Sequence, residues 1–130
     1  MNAGYQAEYV RFKNAGWALI KVPGEASDYT DADLNSFLTL ADVMATGYHA
    51  AASAEVKEGD TVVVMGDGAV GLCGVIAARM RGAKRIIAMS RHVDRQELAL
   101  EFGATDIVAE RGDEAVAKVM AMTHGSGADA

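Results

Sequence analysis

A single cysteine, Cys73, and a single proline, Pro23, occur in a chain of 130 residues. One cysteine excludes an internal disulfide and fits a reducing compartment, so a cytoplasmic protein is expected. There is no run of eighteen apolar residues and no signal-peptide pattern at the start, so neither a spanning helix nor a leader is expected. Positive charge is scarce as well: 12 Lys and Arg against 18 Asp and Glu leave a net charge of −6. That balance argues against a nucleic-acid partner and against an anionic membrane surface. An anionic ligand would have to be held by local features rather than by the overall field. Apolar residues (51%) and 14 glycines are plentiful instead. The length suits one ordinary domain, able to bury roughly two thirds of its unfolded surface.

The most informative stretch is residues 61–82, TVVVMGDGAVGLCGVIAARMRG. Val62, Val63, Val64 and Met65 form an apolar run without polar alternation, as in a strand covered on both faces of a parallel sheet. Gly66, Gly68 and Gly71 then interrupt it, and a segment of helical character with little charge follows. Each glycine has its own physical task in a strand–turn–helix unit of this spacing. The first permits the tight turn, the second lets a diphosphate approach the backbone, and the third lets helix and strand pack closely. A helix start presents unpaired amides and roughly half a positive charge. The amides around Gly66, Gly68, Ala69, Val70 and Gly71 are therefore candidate dinucleotide ligands. Cys73, just inside the helix, reads as a small buried packing residue.

Before this unit, residues 4–22 have the alternation of β structure: Tyr5, Ala7, Tyr9 and Arg11 against Gln6, Glu8 and Val10, then a second run from Trp17 after the turn at Asn14 and Gly16. Pro23 and Gly24 end it, and residues 25–29 read as loop. Thr30 or Asp31 caps a short helix to Leu40, with Leu34, Phe37 and Leu38 on one face. A second helix runs from about residue 41 to 54, and Gly59 and Asp60 turn the chain into the central strand. Beyond the central helix a loose repeat is visible. Gly82-Ala83 precedes strand residues 85–89, and Gly103-Ala104 precedes 106–108. Each reads as helix, glycine C-cap, turn and strand. Asp94 and Glu97 have capping-box spacing, and Asp113 is placed to cap a last helix whose Val116, Val119, Met120 and Thr123 share a face. Gly127-Ala128 repeats the punctuation, but the chain stops before a further strand is expected. The expected fold is α/β: half of a doubly wound Rossmann-type parallel sheet, strand order 3-2-1, preceded by a small β-containing segment and helices.

The end of the second strand bears on nucleotide choice. In NAD-binding sheets of this type an acid about twenty residues on accepts from the ribose 2′-hydroxyl. Here Ser90 holds that place, followed by Arg91 and His92. A serine beside an arginine does not repel a 2′-phosphate, so NADP is expected over NAD. Arg91 as an ordinary solvated loop charge is the alternative.

Several motifs in one order, GYQAEYV, LADVMATGYHAA, GDTVVVMGDGAVGL, EFGATDIV and GADA, make nearly the whole chain resemble an internal piece of a zinc-dependent medium-chain alcohol dehydrogenase. The resemblance implies that residues 1–55 correspond to the end of a catalytic domain and 56–130 to the first half of the cofactor domain. It implies hydride transfer between NADP(H) and a small alcohol or aldehyde. It places Thr46 and Val70 near the nicotinamide, and Asp42 where some members supply the third ligand of a catalytic zinc. Carboxylate oxygen is an acceptable zinc ligand. By residue type alone, Asp42 reads instead as an aspartate that caps or flanks a helix, and His49, seven residues on, as part of a packed helix. The family's cysteine and histidine zinc ligands lie upstream of Met1, and Cys73, His92 and His124 are wrongly placed to replace them. The isolated chain is therefore expected to hold no catalytic zinc and to be inactive, a nucleotide-binding fragment. With no fourth strand, the edge of the central strand is expected to be bare and to favour self-association.

Overall fold

The structure is a computed structural model, and it describes residues 7–130. A short α1 (Ala15–Ala18) and a 3-10 turn (Ala26–Asp28) precede α2 (Asp31–Leu40) and α3 (Val43–Ser53). Then β1 (Thr61–Met65), α4 (Ala69–Met80), β2 (Arg85–Met89), α5 (Val93–Phe102), β3 (Asp106–Val108) and α6 (Gly112–Met122) alternate. The three strands are parallel, with β2 in the middle and β1 and β3 at either edge. This is the expected 3-2-1 order, and the register sets Val62 against Ile86 and Ala88 against Ile107.

Alternation along β2 divides the core in two. Ile86 and Ala88 point to the face covered by α3, α4 and α5, where they meet Ala51, Val56, Val62, Leu72, Val75 and Ala99. Ile87 and Met89 point to the other face, packed by Val108 and by Ala115 of α6. Only this middle strand is buried from its second residue to its last. In β1, Val62 is buried but Met65 is 79% exposed, so the expectation of a strand covered on both faces holds for β2 rather than for β1. Arg85 ties β2 to β3 and to the end of α6: its Nε and Nη2 donate to the two Asp106 oxygens, both at 2.8 Å, and Nη1 donates to the Met122 carbonyl. The bidentate guanidinium holds the Asp106 carboxyl below the ordinary aspartate value.

The repeat of helix, glycine and strand is present at both predicted places. Gly82 and Gly103 have φ of +90° and +118°, and the Gly103 amide closes α5 by donating to the carbonyls of Ala99 and Leu100. Two predicted caps are displaced. The N-cap of α5 is His92 and that of α6 is Arg111, so Asp94 and Asp113 lie in the first helical turns, where they face the positive end of the helix dipole. In α6 the buried stripe is Ala115 with the partly buried Val119 and Met122. Val116, expected on that stripe, is 61% exposed.

Residues 4–22 do not bear out the predicted β segment. Gly4, Tyr5 and Gln6 lie outside the described residues, and among the described ones no strand precedes Thr61. Instead Asn14 takes a left-handed conformation (φ 56°) and starts α1. Trp17 and Ile20 are almost fully exposed, so the second of the two expected runs buries little apolar surface that would hold it in a sheet. In α2 the Thr30 cap is as predicted, its Oγ1 accepting from the Asp33 amide, but Leu34 and Leu38 are exposed and only Phe37 finds a partner, edge-on to Tyr29 at 4.9 Å.

The edge of β1 is not bare along its whole length. The Asp129 amide donates to the Thr61 carbonyl and the Val63 amide to the Ala130 carbonyl, both at 2.8 Å. The chain's last two residues thus take the place of a neighbouring strand beside the first half of β1, where the sequence pattern gives no strand.

Close approach of α3 to α4 rests on Gly47, where an added Cβ would lie 2.7 Å from the Cys73 carbonyl carbon and the Gly74 nitrogen. Both neighbours are backbone and cannot turn aside. Helix propensity alone would make Gly47→Ala stabilising by about 1 kcal/mol. The clash costs about 1–3 kcal/mol. Gly47→Ala is therefore predicted to lower the urea midpoint, and a variant more stable than the parent would contradict the packing.

Candidate functional site

Three glycines shape the turn between β1 and α4, each for a different reason. Gly66 has φ of +115°, a conformation that L side chains rarely adopt. A Cβ at residue 71 would lie 2.3 Å from the Gly66 carbonyl oxygen, so helix and turn approach as closely as hydrogen permits. At Gly68 the backbone is ordinary (φ −81°, ψ 179°), and a Cβ would meet nothing within 4 Å. No internal contact or strain calls for glycine there. What the missing side chain leaves is open space above the backbone, a cradle that a Cβ would begin to fill.

The amides at the same place are unclaimed. The first helical bond runs from Leu72 to the Gly68 carbonyl, and the amides of Gly68, Ala69, Val70 and Gly71 have no backbone acceptor among the described residues. Converging amides at the positive end of α4, beneath open space, fit a diphosphate group. Beside the turn a cleft of about 600 Å³ is lined by Gly47 and Ala50 of α3, Val64 of β1, and Gly68 and Val70. Most of that lining is apolar, as suits a flat ring rather than a charged group.

At the end of β2, Ser90 is 1% exposed, the one buried polar side chain among the described residues. Its hydroxyl donates to Asp67 Oδ2 at 2.9 Å, and Gln96 Nε2 donates to its carbonyl at 2.8 Å. Arg95 Nη1 donates to the Asp67 carbonyl, also at 2.8 Å, so α5 is pinned to the glycine turn. The Ser90 hydrogen bond is the main reason the Asp67 carboxyl lies below the ordinary aspartate value, with Arg95 and His92 adding smaller favourable fields. Arg91 and His92 are exposed, and Arg91 has no ion-pair partner among the described residues. The turn and the end of β2 thus come together. Asp67, Arg95 and Gln96 were missed. The one available signal was an acidic residue between the first two glycines.

Asp42 and Thr46 lie apart from this cluster. Asp42 is the N-cap residue of α3 but its side chain makes no capping bond; its Oδ1 accepts from the Thr46 hydroxyl at 2.9 Å. Both are exposed, and neither lines the apolar cleft, although Gly47 beside Thr46 does. His49 is exposed and lies 3.4 Å from the Ser53 hydroxyl, away from Asp42. Among the described residues no three His, Cys, Asp or Glu side chains are grouped to hold a metal, so the residues present do not fit a zinc centre. Cys73 is buried, and burial pushes its thiol up, which makes it inert packing as expected.

Comparison with known proteins bears directly on this geometry. A family model described as zinc-binding dehydrogenase matches residues 69–130. The NADP-dependent isopropanol dehydrogenase of Clostridium beijerinckii is 36% identical over 99% of this chain and 41% of its own length. An alcohol dehydrogenase of Cupriavidus necator is 37% identical over 98% of the chain and 33% of its own length. The solved apo structure of zinc dependent alcohol dehydrogenase 2 from Streptococcus pneumonia superposes with a TM-score of 0.80 at 30% identity, covering 96% of this chain and 34% of that one. The chain therefore spans about two fifths or less of the relatives it matches.

The glycine turn separates fold from ligand. Gly71→Ala is predicted to cost about 1–3 kcal/mol of stability through its clash with the Gly66 carbonyl. Gly68→Ala is predicted to stay within about 0.5 kcal/mol of the parent yet to weaken binding of an added dinucleotide. Thermal unfolding and ligand titration of the two variants check this; a Gly68→Ala variant with unchanged affinity would count against the cradle.

Proposed function

We propose that the chain, whose residues 69–130 match the family model described as zinc-binding dehydrogenase, is the NADP(H)-binding portion of an alcohol dehydrogenase of that family. The observation that carries the reading is the set of four unclaimed amides beneath the open space at Gly68. They would receive the diphosphate, with Gly66 and Gly71 fixing the turn that aims them. The apolar cleft beside Val70 and Gly47 would take the nicotinamide end, with Thr46 at its margin. Ser90, Arg91 and His92 would face the adenosine ribose, where the exposed guanidinium of Arg91 is free to meet a 2′-phosphate. When bound, the nicotinamide itself supplies the hydride chemistry, acting on a small alcohol or aldehyde. This chain's residues bind and orient it.

Residues 1–55, in this reading, correspond to the end of a catalytic domain and 56–130 to the first half of the cofactor domain. Asp42 stands where the family can place one zinc ligand, but the described residues supply no companions for it. A second reading follows from that observation: the chain by itself binds nucleotide without turning over alcohol.

Titration of the purified chain with NADPH and with NADH, followed by nicotinamide fluorescence, tests both readings together with a coupled alcohol assay in added zinc. Saturable NADPH binding without turnover is the expected result. One charge-assisted hydrogen bond is worth about 1.5–3 kcal/mol, or roughly ten- to a hundredfold in affinity. Arg91→Ala should therefore weaken NADPH by about that factor and NADH far less. Equal losses for both would remove Arg91 from the ribose site, and absence of binding to either would end the dinucleotide reading.

A further inference from the structure

An acid is missing at the end of β2, where sheets of this kind read the ribose 2′-hydroxyl, and the structure brings one to that place from elsewhere. We infer that Asp67, on the glycine turn, is a determinant of nucleotide choice, its carboxylate favouring a 2′-hydroxyl and opposing a 2′-phosphate. This rests on the dinucleotide reading above and deepens it.

Ser90 occupies the acid's position in the chain, and its hydroxyl is one hydrogen bond (2.9 Å) from Asp67 Oδ2. Asp67 therefore holds negative charge within a side chain's length of where the ribose-reading carboxylate would be. A hydroxyl has one proton to donate. Here its acceptors within the protein are Asp67 Oδ2 at 2.9 Å and, at 3.4 Å, the His92 carbonyl, so a phosphate would have to compete with the carboxylate for that proton. The bond to Asp67 holds its carboxyl below the ordinary aspartate value, which favours the charged form. Arg95 directs Nη1 to the Asp67 main-chain carbonyl rather than to its carboxylate, and no ion pair joins Asp67 to Arg91 or Arg95 among the described residues. Nucleotide preference is then a balance of opposite charges across Ser90. Arg91 draws a 2′-phosphate, and Asp67 repels it while offering an acceptor to a 2′-hydroxyl.

Asp67 also clips the turn to β2, a purely structural role that must be separated from its charge. Asp67→Asn keeps a carbonyl acceptor for Ser90 and removes only the charge. Asp67→Ala removes both. Glu101→Gln deletes the same charge at the exposed far end of α5 and controls for the overall field. Dissociation constants for NADPH and NADH, measured on the full chain and each variant, give the affinity ratio, and melting temperatures report the clip. For like charges a few ångströms apart at a wet surface, the ratio should rise about tenfold toward NADPH in Asp67→Asn. Asp67→Ala should shift it the same way whatever its melting temperature, while Glu101→Gln should leave it unchanged. A ratio that moves less than twofold in both Asp67 variants, or equally in Glu101→Gln, overturns the inference while the dinucleotide reading stands. If the parent chain binds neither nucleotide, the dinucleotide reading falls and this inference falls with it.

Discussion

The contact between the Gly66 carbonyl and the α-carbon of Gly71 governs the geometry of everything around it. With only 2.3 Å to the place where a Cβ would be, α4 can begin directly over the end of β1 and nowhere further out. That start fixes the path of α4 across the sheet and brings Leu72, Val75 and Ala78 down onto Val62, Ile86 and Ala88. It also fixes where α3 can lie, since Gly47 meets α4 backbone to backbone at Cys73. Packing and ligand geometry thus have one origin. The amides are left open because the helix starts so close to the strand that no loop remains to fold back and cap them.

Electrostatics in this protein act over short range. A chain with a net charge of −6 does not attract anions as a whole. Attraction has to come from the helix terminus and from the cations at the end of β2, within about the 8–10 Å over which salt leaves a field effective. Asp67 lies inside that range and carries the opposite sign. The same carboxylate braces the turn against the end of β2 through Ser90, so in the proposed reading stability of the turn and discrimination by it are coupled through one side chain.

How much of this was readable in the sequence depended on whether a feature is local. The three strands, their order and the glycine turn follow from runs and punctuation within about twenty residues, and they stand where the pattern put them. Gly103 capping α5 is equally local. The failures are of another kind. Alternation in residues 4–22 has the period of a strand, but a strand needs a ladder beside it, and among the described residues no strand forms before Thr61. In α6 the stripe was set one residue off, burying Ala115 rather than Val116, because a small residue can approach the sheet where a branched one is left outside. Ser90 to Asp67 spans 23 residues and the Thr61 amide to the Asp129 carboxylate spans 68, so neither follows from spacing. The glycine turn was therefore visible in advance, and the Asp67–Ser90 contact beside it was not.

The claim on which the account depends is that a dinucleotide's diphosphate sits on the amides between Gly66 and Leu72. Amide proton–nitrogen spectra of the labelled chain, recorded as NADPH is added, examine those groups one by one. The account predicts that the largest shifts fall on Gly68, Ala69, Val70 and Gly71, with a second set at Ser90, Arg91 and His92. Shifts confined to other parts of the fold, with the glycine-turn amides unmoved at saturation, would contradict it.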